Sequence, residues 1–285
     1  MPVRTAFDLA RFNLDVTWAF GEWSTSLLTR PLLHSLAAKG DKTRGVLALP
    51  GFSGPEASLR PLVRFLRCQG FYAKSWGLGT NRGPHGHDYM EFLADIIAPR
   101  LKRMADKTGN KVSLVGQSLG GIYSREIARA YPNLVDRVIT LGSPAYINPD
   151  RIGHLNKLVT VALQAMTGAP AEMHMETAQL VKIYRPPPGV PLVSIYSQLD
   201  GVVSKHVTMI PHVDLDHEGP VPRENIEILG SHCGMGVNPV SLVAICDRLV
   251  ADIDDWQPFC PHDYVPEPFH SAIPAVYPSS VAPAL

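Results

Sequence analysis

The 285-residue chain has few of the features that mark several common classes of protein. Lys plus Arg and Asp plus Glu both total 26, so no net positive charge attracts nucleic acid. Charged residues make up only 18% and hydrophobic residues 45%, which excludes intrinsic disorder and allows a large core. The four cysteines have no CxxC spacing and are too few for a disulfide scaffold. We therefore expect reduced thiols and a cytoplasmic location.

Long hydrophobic runs are also absent. No uncharged apolar run approaches the ~18 residues that a membrane-spanning helix needs. Charges at Arg4, Asp8, Arg11 and Asp15 interrupt the first twenty residues, which therefore lack the apolar stretch of a signal peptide. The sequence predicts no transmembrane segment and leaves peripheral contact with a membrane open.

An amphipathic helix is predicted near the N-terminus and should end at Pro31. Apolar residues recur there at steps of three and four: Leu9, Phe12, Val16, Phe20, Trp23 and Leu27. We expect this apolar face to pack on the core. A helix lying on a membrane surface is the alternative, although its polar side carries both signs of charge.

Beyond this helix, apolar runs of strand length alternate with helical patterns. The runs cover residues 45–50, 71–75, 112–115, 135–141, 192–196 and 226–229, and the helical patterns cover residues 59–69, 89–108, 119–130 and 240–253. This alternation predicts an α/β fold with a mostly parallel sheet covered by helices on both faces.

The same pattern predicts the organisation of the chain. An N-terminal helical segment (residues 1–44) precedes an α/β domain (residues 45–255), and a tail rich in proline and aromatics (residues 256–285) follows. Residues 145–190 lack a strand pattern but contain two helical ones, so we expect a helical cap inserted over one edge of the sheet. No repeat is present, and the oligomeric state stays open.

A candidate nucleophile lies between a predicted strand and a predicted helix. Residues 116–121 read Gly-Gln-Ser-Leu-Gly-Gly, a GxSxG pattern centred on Ser118. Small neighbours let the backbone make the sharp turn that exposes the serine hydroxyl, and the N-terminus of the helix supplies positive potential beside it. The pattern predicts a catalytic serine.

Activation of a serine requires a base, and a carboxylate must orient that base. Of the 11 histidines, only His232 lies in the glycine-rich loop just after the last predicted strand. Asp200 follows the fifth strand, whereas its competitor Asp136 lies at the start of the fourth and so at the opposite edge of the sheet. The predicted triad is Ser118, Asp200 and His232. The backbone N–H groups of Phe52 and Leu119 are the predicted oxyanion donors.

With these motifs the chain resembles the α/β-hydrolase superfamily, in particular lipases and esterases, over about residues 45–255. The resemblance depends on residues 49–52 (Leu-Pro-Gly-Phe), 116–121, 197–203 and 230–234. The Asp-Gly-Val-Val and Gly-Ser-His segments are similar to small bacterial lipases and to relatives of glycosylphosphatidylinositol inositol deacylase. Many lipases have His-Gly where this chain has Pro50-Gly51, and the N-terminal helix and the tail fall outside the shared region.

The predicted function is hydrolysis of carboxylic esters, with a thioesterase or an acyltransferase as alternatives of the same chemistry. No cofactor is expected, and two stretches rich in possible ligands, residues 85–88 and 212–218, lack a zinc-hydrolase signature. Leu163 and Met166 lie on the apolar face of a predicted cap helix, and we expect them to bind an apolar acyl group. The alternative is that this face only packs against the domain. A non-catalytic membrane-surface or binding protein on the same scaffold is the alternative from another class.

Overall fold

The predicted alternation of strands and helices is present in the structure, which is a computed structural model. It describes residues 2–83, 91–145, 187, 189–211, 221–264 and 267, with side chains from residue 13. The strands are β1 (Gly45–Leu49), β2 (Tyr72–Ser75), β3 (Val112–Gln117), β4 (Val135–Leu141), β5 (Leu192–Ser197) and β6 (Arg223–Ile228). The helices are α1 (Pro2–Leu28), α2 (Arg30–Leu36), α3 (Arg60–Cys68), α4 (Ala98–Thr108), α5 (Leu119–Ala130), α6 (Lys205–Thr208) and α7 (Pro239–Val250).

The strands of the described residues form one parallel sheet in the order β2-β1-β3-β4-β5-β6. Because all strands are parallel, their carboxyl ends meet at one edge. β2 pairs with one side of β1, and β3 pairs with the other side of β1. The direction in which strands are added to the sheet therefore reverses between β1 and β3. In open α/β sheets, ligands bind at the carboxyl edge beside this reversal.

Two apolar layers enclose the sheet. Alternate residues of a strand point to opposite faces, and in β1 Val46 and Ala48 join one buried cluster while Leu47 and Leu49 join the other. Helices α2, α3 and α7 contribute to the first cluster, and α4 and α5 to the second. This arrangement confirms the predicted sheet covered by helices on both faces.

The predicted packing of the N-terminal helix is wrong. The apolar side chains that should have faced the core are largely exposed: Val16 (46%), Phe20 (67%), Trp23 (41%) and Leu27 (45%). Asp15 and Glu22 are buried instead, because their carboxylates accept hydrogen bonds from loops at the carboxyl edge of the sheet.

Helix boundaries differ from the predictions at two prolines. Pro31 does not end a helix but lies in the first turn of α2, where the missing N–H group has no cost. The helix predicted over residues 89–108 is a π-helix over Phe92–Ile97 followed by α4, with Pro99 in the first turn of α4. Both prolines therefore lie in the first turn of a helix, where proline is tolerated, and neither ends a helix.

Other predictions concern segments that the structure describes only in part. Residues 146–186 of the predicted cap, with Leu163 and Met166, lie outside the described residues, as does most of the tail beyond Tyr264. In the part of the chain that is described, no helix combines the length and apolar character needed to cross a bilayer.

Candidate active site

Ser118 occupies a sharp turn between β3 and α5. Its backbone has φ +50° and ψ −118°, a strained region for a residue with a Cβ. The Ser118 N–H donates to the Leu141 carbonyl (2.9 Å), which ties the turn to the end of β4. A Cβ at Gly116 or Gly120 would collide with backbone atoms of the turn and of β1, so both positions require glycine. The GxSxG residues therefore form the strand-turn-helix geometry that exposes a serine.

His232 and Asp200 form a buried hydrogen-bonded pair. The His232 Nδ1 and Asp200 Oδ2 atoms are 2.8 Å apart, and the two residues are 6% and 4% exposed. The other carboxylate oxygen of Asp200 accepts from the N–H groups of Val202 (2.8 Å) and Val203 (2.7 Å). With Nδ1 donating to this fixed carboxylate, Nε2 is the ring atom available to accept a proton.

The strand order brings this pair to the edge of the sheet that carries Ser118. Gly142, directly after β4, has φ +56°, and a Cβ there would lie 2.9 Å from His232 Nδ1 and 3.0 Å from Asp200 Oδ2. Gln117, the neighbour of Ser118, donates from Nε2 to the His232 carbonyl (2.8 Å). The loops after β3, β4, β5 and β6 therefore meet around one site.

The loop after β1 approaches Ser118 from the opposite side. A Cβ at Gly51 would lie only 3.1 Å from the Cβ of Ser118. Phe52 follows Gly51 in a turn closed by a hydrogen bond from the Gly54 N–H to the Gly51 carbonyl (3.0 Å). Leu119 is the first residue of α5, where an N–H group has no acceptor within the helix. Of the two predicted oxyanion donors, Leu119 therefore follows Ser118 directly in the chain, and Phe52 follows a glycine that lies against Ser118.

Burial and two nearby carboxylates have opposite effects on the pKa of His232. Burial would lower its pKa, but the charge and hydrogen bond of Asp200, with a further contribution from the charge of Asp15, reverse this effect. The pKa of the imidazole therefore lies above its ordinary value. An imidazole that gains a proton readily is suited to remove one from a serine hydroxyl.

Comparisons with known proteins agree with this geometry. The chain matches the protein family described as a putative esterase over residues 68–196, a little under half of its length. Human serine hydrolase BPHL is 29% identical over 115 residues, covering 39% of this chain and 40% of that protein. Homoserine O-acetyltransferase from Thermus thermophilus is 30% identical over 112 residues, covering 37% of this chain and 30% of that protein. The chain therefore matches less than half the length of these curated relatives.

A solved structure extends the comparison to most of the chain. Lipase B from Aspergillus fumigatus superposes with a TM-score of 0.52 at 15% identity, covering 78% of this chain and 57% of that one. The chain has the α/β-hydrolase fold. The resemblance to lipases and esterases of this superfamily, predicted from the motifs, is confirmed.

Two further residues, the competing acid Asp136 and the Cys233 thiol beside His232, lie in environments that do not suit the candidate site. Asp136, near the start of β4, accepts hydrogen bonds from Ser113 Oγ (3.0 Å) and Arg137 Nε (2.6 Å), at the edge opposite Ser118. Partial burial, together with nearby carboxylates, raises the pKa of the Cys233 thiol to about 12, so the thiol is neutral at physiological pH. Neither residue is placed to serve the site.

No group of three or more potential ligands among the described residues is arranged to hold a metal ion. The stretches 85–88 and 212–218, considered as ligand clusters from the sequence, lie outside those residues. The described part of the candidate site therefore offers a serine, an imidazole, a carboxylate and backbone amides.

Sequence reasoning missed the residues that support the histidine loop. Gln117 lies within the GxSxG pattern, but the pattern does not specify its bond to the His232 carbonyl. Asp15 and Glu22 are seven residues apart, a spacing that puts two side chains on the same face of a helix. That spacing was the available signal, but nothing in it identified the loop amides that these carboxylates bind.

Proposed function

We propose that this α/β-hydrolase cleaves carboxylic esters through an acyl-serine intermediate. Ser118 is the nucleophile, His232 the general base and then the general acid, and Asp200 the carboxylate that orients the imidazole. The proposal depends chiefly on the buried 2.8 Å hydrogen bond between His232 and Asp200 at the sheet edge where Ser118 occupies its strained turn. The match to the putative esterase family is independent support.

The geometry suggests how the steps are divided. His232 Nε2 takes the proton of Ser118 as the hydroxyl attacks the ester carbonyl, and Asp200 stabilises the resulting imidazolium. The Phe52 and Leu119 N–H groups bind the oxyanion of the tetrahedral intermediate, at the positive end of α5. His232 returns the proton to the departing alcohol. Water, activated by the same imidazole, then releases the acid.

A fluorophosphonate probe and p-nitrophenyl esters test this assignment. We expect the wild-type chain to be labelled, and Ser118→Ala to abolish labelling and lower kcat by roughly 10⁴- to 10⁶-fold, as when a triad nucleophile is lost. The exposed Ser58, whose hydroxyl bonds the Pro55 carbonyl (2.7 Å), supplies the matched control Ser58→Ala. Turnover near wild type in Ser118→Ala would reject the proposed nucleophile.

The substrate part of the proposal is an ester with an apolar acyl group, bound in part by Leu163 and Met166 of the cap. Flexible Met and Leu side chains adapt to an acyl chain, and each buried CH₂ contributes ~0.8 kcal/mol. Leu163→Ser and Met166→Ser should therefore lower kcat/KM more for medium-chain esters than for acetate. An equal loss at every length from C2 to C12, with unchanged thermal midpoints, would exclude these residues from the acyl site.

Acyl transfer to another acceptor is the second candidate. The similarity to homoserine O-acetyltransferase over 112 residues supports it, since that enzyme's name describes transfer of an acyl group to a hydroxyl. Added alcohols or thiols would divert the acyl-serine from water in a transferase. Release of acid alone would favour the esterase, and a folded chain that no probe labels would favour a non-catalytic binding protein.

Peripheral contact with an anionic lipid surface completes the proposal. Of the ten large apolar side chains exposed among the described residues, eight lie between residues 14 and 32, on α1 and α2. Arg30, Arg60 and Arg64 line a groove together with Trp23 and Leu27 of this patch. Aromatic side chains beside arginines suit the boundary between acyl chains and anionic headgroups.

A further inference from the structure

The buried carboxylate of Asp15 connects the loops that carry Asp200 and His232. Its Oδ1 atom accepts from the N–H groups of His232 (2.7 Å) and Gly201 (3.1 Å), and its Oδ2 atom accepts from the N–H group of Cys233 (2.9 Å). The Oδ1 atom of Asp15 thus binds the backbone of both Gly201, which follows Asp200, and His232. The separation of the two loops is therefore fixed from α1, which lies outside the α/β domain.

Glu22, two helical turns further along α1, holds the same histidine loop one residue earlier. It accepts from the Ser231 N–H (3.1 Å), from the Ser231 hydroxyl and from Asn238 Nδ2 (2.6 Å). The orientation of the Asn238 amide is fixed because its oxygen accepts from two N–H groups at the start of α7. A Cβ at Gly230 or Gly234 would collide with the Glu22 carboxylate. The glycines of this loop therefore make room for the carboxylate.

The buried backbone N–H groups of these loops need hydrogen-bond acceptors. Neutral carbonyl groups or water could serve as acceptors, so the need for acceptors does not by itself explain two carboxylates. Two buried carboxylates are costly to desolvate, and burial raises the pKa of Glu22 against the effect of its hydrogen bonds. Asp15 also adds negative charge beside His232, where positive charge develops when the imidazole takes a proton. Neutral acceptors could not supply this second effect.

We infer that Asp15 and Glu22 are positioning residues for the proposed triad: α1 fixes the acid and histidine loops through these carboxylates, and Asp15 stabilises the imidazolium form of His232. The inference depends on the proposed serine hydrolase function. Among the described residues, the charged groups that act on the imidazole are Asp200 from the loop after β5 and Asp15 from α1. Gln117, which bonds the His232 carbonyl from the end of β3, is neutral, as is the Cys233 thiol.

The test compares Asp15→Asn with Asp254→Asn, which removes the same charge from an exposed turn. Asparagine keeps one acceptor but turns an NH₂ group towards an N–H donor and loses the charge. With p-nitrophenyl acetate we expect kcat to fall roughly 10- to 100-fold, as when catalytic groups are slightly misplaced, and KM to stay within about twofold. The acid limb of the kcat/KM profile should move to lower pH. Asp254→Asn should match the wild type in both measurements.

Glu22→Gln separates positioning from charge. Its NH₂ group must face one of two donors, Asn238 Nδ2 or the Ser231 N–H, so kcat should fall while the acid limb stays in place. If Asp15→Asn changes only the thermal midpoint and leaves kcat and the acid limb as in the wild type, the inference is wrong. Should Asp15→Asn not fold at 25 °C, wild-type kcat in Glu22→Gln overturns the inference instead. An error in the proposed serine hydrolase function would be detected separately, because Ser118→Ala would then retain turnover.

Discussion

A single methyl group at Gly142 should separate the proposed acid from the proposed base. The Cβ of Gly142→Ala would lie 2.9 Å from His232 Nδ1, 3.0 Å from Asp200 Oδ2 and 3.1 Å from Met235 Sδ. These atoms must move away by a few tenths of an ångström. Two of them form the 2.8 Å hydrogen bond between His232 and Asp200, so this movement disrupts that bond. A hydrogen bond to a charged group contributes ~1.5–3 kcal/mol. Its loss therefore predicts a kcat about 10- to 150-fold lower, at 1.36 kcal/mol for each factor of ten.

Gly109→Ala is the matched control because it has the same backbone strain without the collision. Gly109 has φ +72° and a Cβ there would meet no atom within 4 Å, whereas Gly142 has φ +56°. Both variants should lose ~1 kcal/mol of folding free energy because alanine disfavours a left-handed backbone. Thermal midpoints and kcat for p-nitrophenyl acetate would be measured on both. Two results would contradict the proposed role of the His232–Asp200 pair in catalysis. One is a wild-type kcat in Gly142→Ala, and the other is a decrease in kcat in Gly109→Ala as large as that in Gly142→Ala.

Three further predictions follow from the same structure. Asp200→Asn should lower kcat by roughly 10³- to 10⁴-fold because it disturbs the tautomer of His232, whereas Asp136→Asn at the opposite edge should change kcat less than about twofold; equal losses would identify the wrong acid. Because the pKa of His232 is raised from 6.5, kcat/KM should fall as the pH drops through a value above 6.5, and an acid limb below that value would contradict the assignment. Phe20→Ser combined with Trp23→Ser should weaken co-sedimentation with phosphatidylglycerol vesicles but leave hydrolysis of a water-soluble ester unchanged, and unaltered vesicle binding would exclude this patch as the lipid contact.

The centre of the sheet was predictable because β1, β3, β4 and β5 are buried on both faces. These strands are then largely apolar runs, as in residues 45–49 and 192–196, and such runs stand out from the helical patterns between them. The candidate triad was predictable for a related reason. In a parallel sheet, residues that follow strands collect at one edge, so the positions of Ser118, Asp200 and His232 after β3, β5 and β6 bring them together. Asp136 was set aside by the same rule, and the structure has it at the opposite edge.

The packing of α1 was not predictable by the same reasoning. Periodicity identifies the faces of a helix but not the surface that each face meets. The apolar face containing Phe20 and Trp23 was assigned to the core because apolar burial is the usual driving force. Here backbone N–H groups of the loops after β5 and β6 need acceptors, and the face with Asp15 and Glu22 provides them. That need arises from the three-dimensional arrangement of loops far along the chain, so no local pattern reveals it.

The position of α1 also bears on where the functional unit begins. Resemblance to α/β-hydrolases starts near residue 45, and by that criterion α1 is an addition. Yet α1 supplies the acceptors for four loop N–H groups, those of Gly201, Ser231, His232 and Cys233. A buried N–H group without an acceptor costs ~1–3 kcal/mol, a large amount when set against the ~5–15 kcal/mol by which domains are stable. Without α1 the loops would rearrange to reach water, and the Asp200–His232 pair would move with them. We therefore expect a chain that begins at residue 45 to retain the sheet and lose the geometry of the proposed triad, so the helix is part of the proposed active site although it lies outside the region of resemblance.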